Sequence, residues 1–147
     1  MTCGRISRLA CSRLSGVLRG LEARNFVRWS PDALKHVGCV NPRPNLNGVV
    51  AQVCAPDIKT RTIVIALSFC DLRRTTRGYG TDIFYDGDSQ LLTLIHEVTH
   101  FIDVFGSADA WYKTDVARAQ IFITSDLRKA RNNADSLVGY IVGSQVR

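Results

Sequence analysis

Three features of the sequence predict an α+β fold, helix-dominated with a small β-sheet. Apolar residues recur at helical spacing near both ends and through the middle of the chain. Two short β-branched runs, residues 49–54 and 62–69, lie between them. Clusters of Asn, Pro, Asp and Gly punctuate the segments. The 147 residues suit one domain, with a helical part over 1–48 and strands, a central helix and C-terminal helices over 49–147. A charged fraction of 22% against 46% hydrophobic residues is globular and argues against disorder. No apolar run reaches the length of a membrane span.

In chain order, Ile6, Leu9, Leu14, Val17, Leu18 and Leu21 share one helical face with arginines opposite, which predicts a helix over about 4–26. Ser30-Pro31-Asp32 reads as a second helix start, with Pro at its first position. Residues 41–48 are turn chemistry, and the two β-branched runs follow as strands separated by Pro56-Asp57. Residues 73–80 read as a polar loop, and 84–88 lead into a helix capped by Asp88 or Ser89. Leu91, Ile95, Val98 and Ile102 form its apolar stripe, and Phe105-Gly106-Ser107 ends it. Ser107 can cap a helix carrying Trp111, Tyr112 and Val116. Ser125-Asp126 can cap a last one through Leu127, Ala130, Ala134, Val138 and Ile141.

The net charge is +6, and +5 of it falls in residues 1–35. The ordinary reading of those arginines is a solvated helix face. A nucleic-acid or anionic-membrane surface is the alternative, and the scarcity of interleaved aromatics disfavours nucleic acid. The five cysteines (Cys3, Cys11, Cys39, Cys54, Cys70) show no CxxC and no zinc-knuckle spacing, and allow at most two disulfides. Arg5, Arg8 and Arg13 interrupt any apolar signal region, so export, if it occurs, would use a precursor segment or a route other than an ordinary signal peptide, and a cytoplasmic location stays open.

The chemistry concentrates in His96-Glu97-Val98-Thr99-His100, an HExxH motif expected mid-helix. Residues i and i+4 lie one turn apart on one face, so two imidazoles there can converge on a metal ion. The intervening glutamate leans aside, where it can take a proton from metal-bound water. The motif holds two of the three histidines and one of the two glutamates in the chain. His36, a lone histidine, reads as a surface or packing residue. A catalytic zinc needs a third protein ligand. No His, Glu or Cys follows His100, which leaves Asp103, Asp109, Asp115, Asp126 and Asp135. Asp103 continues the motif's face about 10 Å further along the axis, too far for a short side chain to reach back. Asp109 follows the Gly106-Ser107 break, where the chain can turn, and is the geometric choice.

These residues carry a resemblance. HExxH followed by Gly106-Ser107-Ala108-Asp109-Ala110-Trp111-Tyr112 resembles the aspzincin pattern, the deuterolysin and peptidyl-Lys metalloendopeptidase family of zinc peptidases. Asp88-Ser89-Gln90 with Thr93-Leu94 is similar to the family's lead into the motif. Phe101 matches the frequent Phe after the second His, and Asn133-Ala134-Asp135-Ser136 resembles the NAD stretch of the last helix. The likeness runs from about residue 62 to 140.

It implies a zincin-like fold and a zinc endopeptidase acting on polypeptide. His96, His100 and Asp109 would hold one Zn2+, and Glu97 would be general base and acid. Tyr112 would donate to the oxyanion. The strand over 62–69 would be the sheet edge where substrate pairs. Asp135 would be the pocket acid that favours Lys after the scissile bond.

Four positions depart from the family. Ser107 replaces Thr, Lys113 replaces the Gly after Tyr, Val138 replaces a second pocket acid, and Ala66 stands at a frequent cysteine. The expected protein is a monomer, secreted or delivered as an effector domain. A catalytically degenerate zinc-binding domain and a basic surface-binding module are the alternatives.

Overall fold

The computed structural model describes residues 8–40, 48–74 and 88–143. The expected turn over 41–47 and the expected loop and lead-in over 75–87 lie outside the described residues. Among the described residues, six α-helices accompany a three-stranded sheet: α1 (Arg8–Gly20), β1 (Phe26–Arg28), β2 (Ala51–Val53), β3 (Ile63–Ile65), α2 (Leu67–Asp71), α3 (Gln90–His100), α4 (Thr114–Thr124), α5 (Leu127–Arg131) and α6 (Ala134–Gly143). Among the described residues no helix is long and apolar enough to cross a membrane.

The sheet order is β1-β3-β2, with β1 parallel and β2 antiparallel to β3. Val27, Val64 and Gln52 lie abreast. Successive side chains of a strand point to opposite faces. Ile63 accordingly joins the main core with Leu14, Ile95, Val98, Phe101 and Val138. Val64 faces a smaller cluster with Ala33, Leu34 and Cys54. The sheet is thus covered on one side by α1, α3 and α6, and on the other by the turns around residues 31–39.

Cys39 and Cys54 form a disulfide whose Cα atoms are 6.0 Å apart. Closing its 15-residue separation restricts the unfolded chain by about 3 kcal/mol in the loop-entropy account. Cys11 is disulfide-bonded too, while Cys70 is an exposed free thiol.

The expectations met several corrections. The strand expected over 62–69 stops at Ile65 and turns into α2. It is the central strand, so its backbone is paired on both sides and cannot be the open edge for a substrate. The first helix ends at Gly20, and the chain then supplies a strand, β1, that helical periodicity concealed. Ser30-Pro31 starts only turns and a 3-10 segment, Lys35–Val37.

The helix expected from Ser107 begins at Thr114, because Ala108 pairs instead with Asn133 as an isolated parallel bridge. The same bridge interrupts the expected last helix and divides it into α5 and α6.

On α3 the buried stripe is Leu92, Ile95, Val98 and Thr99, while Leu91 and Ile102 are exposed. The helix ends at His100 rather than near residue 105, so the motif is its last turn and not its middle.

Both ends of α3 are tied. Gln90 and Leu91 amides donate to the carbonyls of Arg73 and Arg74 (2.9 and 3.2 Å), and Ser89 Oγ accepts from the Leu92 amide. At the far end, Arg61 donates two hydrogen bonds to the Asp103 carboxylate (2.8 and 2.6 Å) and lies over the Phe101 ring. Arg61 sits at φ 52°, a left-handed conformation that costs a non-glycine residue about 1 kcal/mol. The partly buried bidentate pair offsets that cost and clamps the turn that follows the motif.

Asp57 organises the turn into β3. Its carboxylate accepts from the Thr60 amide and hydroxyl and from the Thr62 amide (3.0, 2.6 and 2.8 Å). Burial alone pushes its pKa up, but these donors outweigh burial and hold it below the ordinary carboxylate value. The stabilisation from its charge is therefore present above the unfolded pKa of about 4 and is lost as pH falls through the folded value. We predict that Asp57→Asn lowers stability by about 1–2 kcal/mol near neutral pH. In urea titrations the gap from wild type should shrink as pH falls from about 5 to about 3. A gap that stays constant with pH would remove this role.

Candidate metal centre

The last turn of α3 presents His96 and His100 on one helix face, their ring centroids 4.9 Å apart. The loop after Gly106 then returns Asp109 to the same place. His96 Nε2 lies 3.0 Å and His100 Nε2 3.3 Å from one oxygen, Asp109 Oδ1. The three ligand atoms all lie within 4.8 Å of one another. Zinc holds nitrogen and oxygen ligands at about 2.0–2.2 Å, so neighbouring ligand atoms in a tetrahedral site stand about 3.3 Å apart. The donor set and its spacing therefore suit zinc, and three protein ligands are the number a catalytic zinc takes.

Each imidazole is oriented from behind. His100 Nδ1 donates to the Ser107 carbonyl oxygen at 2.8 Å. A carbonyl only accepts, so a proton sits on Nδ1 and Nε2 is the ring nitrogen that faces the site. Ser107 is itself held, its amide donating to the Thr99 carbonyl and its hydroxyl lying 2.7 Å from that of Thr99. His96 Nδ1 is paired with Asp135 Oδ1 at 2.9 Å. The other Asp135 oxygen accepts the Lys113 amide at 2.7 Å. A metal-ligating histidine with a carboxylate behind it is the recurrent arrangement at such sites.

The electrostatics favour positive charge. Burial lowers the pKa of His96, but hydrogen bonds to Asp109 and Asp135 and the charge of Glu97 raise it to about 10. His100 is raised as well, with burial outweighed by Asp109, Glu97 and the Ser107 carbonyl. Asp109 is held well below the usual carboxylate range, because the two histidines outweigh its burial. Glu97 lies buried in the motif, only 7% exposed. Burial pushes its pKa up, against the pull of both histidines. The site is thus a partly buried concentration of carboxylates and imidazoles that favours a cation, beside a buried carboxyl whose pKa is raised.

Tyr112 is half-exposed, and its hydroxyl donates to Asp109 Oδ2 at 3.1 Å. His96, Glu97, His100, Asp109, Tyr112 and Asp135 are thereby brought into one cluster. Asp135 lies behind His96 with both oxygens engaged, and Val138 is buried in the main core. Asp103 is turned to Arg61, and His36 lies 3.4 Å from Thr62 Oγ1 on the far side of the sheet from the motif's core. Periodicity offered no reason to single out Ser107 or Asn133, whose roles depend on a backbone carbonyl and a buried amide.

Among solved structures, a zinc peptidase from Grifola frondosa has the same fold, with a TM-score of 0.56 and 22% identity. The match covers 92% of this chain and 68% of that one. No protein-family model matches the sequence, and no curated protein matches it.

Lys113 occupies φ 70° and ψ 138°, a backbone region that side chains avoid and glycine tolerates. That conformation aims its amide at Asp135. We predict that Lys113→Gly raises stability by about 1 kcal/mol, strain relief exceeding the added chain entropy. Urea midpoints that are equal or lower for the variant would show that the position is not strained.

Proposed function

We propose that the chain is a zinc-dependent endopeptidase of the aspzincin type, in which His96, His100 and Asp109 hold the metal. The observation that carries this reading is the convergence of both Nε2 atoms on Asp109 Oδ1, with the buried Glu97 in the same helical turn. The fold shared with a zinc peptidase supports it. Bound zinc would supply Lewis acidity toward a peptide carbonyl and a water of lowered pKa.

The protein's own residues do the rest. Glu97, with its pKa raised by burial, takes a proton from the attacking water and returns it to the leaving amine. Tyr112, half-exposed beside Asp109, turns its hydroxyl from Asp109 Oδ2 to donate to the oxyanion as charge develops. Asp135 holds His96 and the Ser107 carbonyl holds His100, so neither ring has to reorient. The reading includes no strict Lys preference, since the carboxylate that would select Lys is engaged on both oxygens and its expected partner is the core residue Val138. The Cys39–Cys54 disulfide supports an oxidising compartment, as for a secreted or delivered protein.

The first test is incubation of the purified protein with an unfolded polypeptide, with the cuts mapped by mass spectrometry. Cleavage is expected, abolished by chelator and restored by zinc. Glu97→Ala should keep one zinc but lose about 10²–10⁴-fold in kcat/KM. Cleavage at the wild-type rate by this variant would remove its assigned role. Zinc-loaded wild type that cuts nothing would replace the peptidase reading with a zinc-binding interaction domain.

Asp109→Ala should lose zinc on dialysis, measured as metal per chain by elemental analysis, with far-UV circular dichroism unchanged. Full zinc retention would move the third ligand elsewhere.

A further inference from the structure

Asn133 is fully buried immediately before α6. It turns outward to the loop that bears Asp109. Its Oδ1 accepts the amides of Ala110 and Trp111, at 2.9 and 2.8 Å. Two N–H donors require an acceptor, so the amide orientation follows from chemistry. Nδ2 then donates to Ser136 Oγ at 3.1 Å.

We propose that Asn133 is a positioning residue for the third metal ligand, holding the two peptide groups that follow Asp109 so that its carboxylate meets His96 and His100 before metal arrives. The inference rests on the metal-binding part of the reading above.

The loop needs such a hold. Residues 107–113 belong to no helix or strand of their own. On the other side of Asp109, the Ala108 amide donates to the Asn132 carbonyl (2.8 Å), and the Ala134 amide to the Ala108 carbonyl (3.0 Å). Those bonds are backbone to backbone and fix only the entry to Asp109. The exit is held by the Asn133 side chain. Asp109 and Ala110 are exposed, so without that side chain water would serve the amides and the loop could take other conformations. Two residues further on, Asp135 engages His96, so Asn133 and Asp135 together address one ligand on the loop and one on α3.

The test is the zinc dissociation constant of wild type, Asn133→Ala and Asn133→Asp, by competition with a chromophoric chelator. Peptide cleavage plays no part, so the result is independent of whether the protein is a peptidase. Asn133→Ala should bind zinc about 10- to 100-fold more weakly, the usual effect of removing a partner that orients a ligand. Asn133→Asp keeps an acceptor for both amides, and Ser136 can reverse its hydroxyl to donate, so its affinity should stay within about threefold of wild type. A purely structural role would lower the melting temperature of the metal-free alanine variant and leave the affinity of its folded fraction unchanged.

Amide exchange on metal-free wild type reads the same hold without any substitution. The Ala110 and Trp111 amides should exchange as slowly as those of α6. Wild-type zinc affinity in folded Asn133→Ala, or exchange of these two amides at the rate of open loops, would overturn the proposal.

Discussion

Two imidazole nitrogens aimed at a single carboxylate oxygen are stable only with positive charge among them. Hydrogen bonds and charge among these groups accordingly raise the pKa of His96 and His100 and depress that of Asp109. The same arrangement could hold a divalent cation, which would supply that positive charge through three ligand bonds. Much of the rest of the structure keeps these groups from relaxing apart. The histidines are fixed by α3, and Asp109 is fixed by its loop.

That loop links local conformation to the site. It forms because Ala108 pairs with Asn133, which divides what would otherwise be one long C-terminal helix. The division places Asn133 just before α6 and Asp135 in its first turn, where they meet the Asp109 loop and His96. Lys113, held in a backbone region suited to glycine, completes the geometry by sending its amide to Asp135. Strain in one residue and the interruption of one helix thus accompany a ligand set with little freedom. Preorganisation of this kind is what a tight metal site needs.

The other end of the motif depends on packing. Leu92, Ile95 and Val98 anchor α3 in the core shared with β3 and α6, and Phe101 closes it with no exposed surface. Arg61 and Asp103 then clamp the turn from outside. Burial of the helix on one face brings Glu97 out of water, and desolvation is the largest influence on its pKa. Packing energetics and the proposed proton transfer therefore meet in a single residue.

Much of the site was legible in the sequence. HExxH spacing and helix periodicity identify His96, Glu97 and His100 because both are local properties of an α-helix. Elimination and the Gly106 break pointed to Asp109, since few other residues downstream can ligate zinc. Much of the helix content was legible for the same local reason. The central position of β3, the strand β1 inside an apparently helical stretch, and the helix lost over residues 107–113 were not. Each depends on a partner distant in the chain, whether β3 for β1 or Asn133 for Ala108. The place of Asp135 was decided in the same way. The resemblance makes it a pocket acid, and only the packing of α6 against α3 sets it on His96. Periodicity reports which face of an element is apolar, whereas tertiary contacts alone determine which side chain from elsewhere meets the other face.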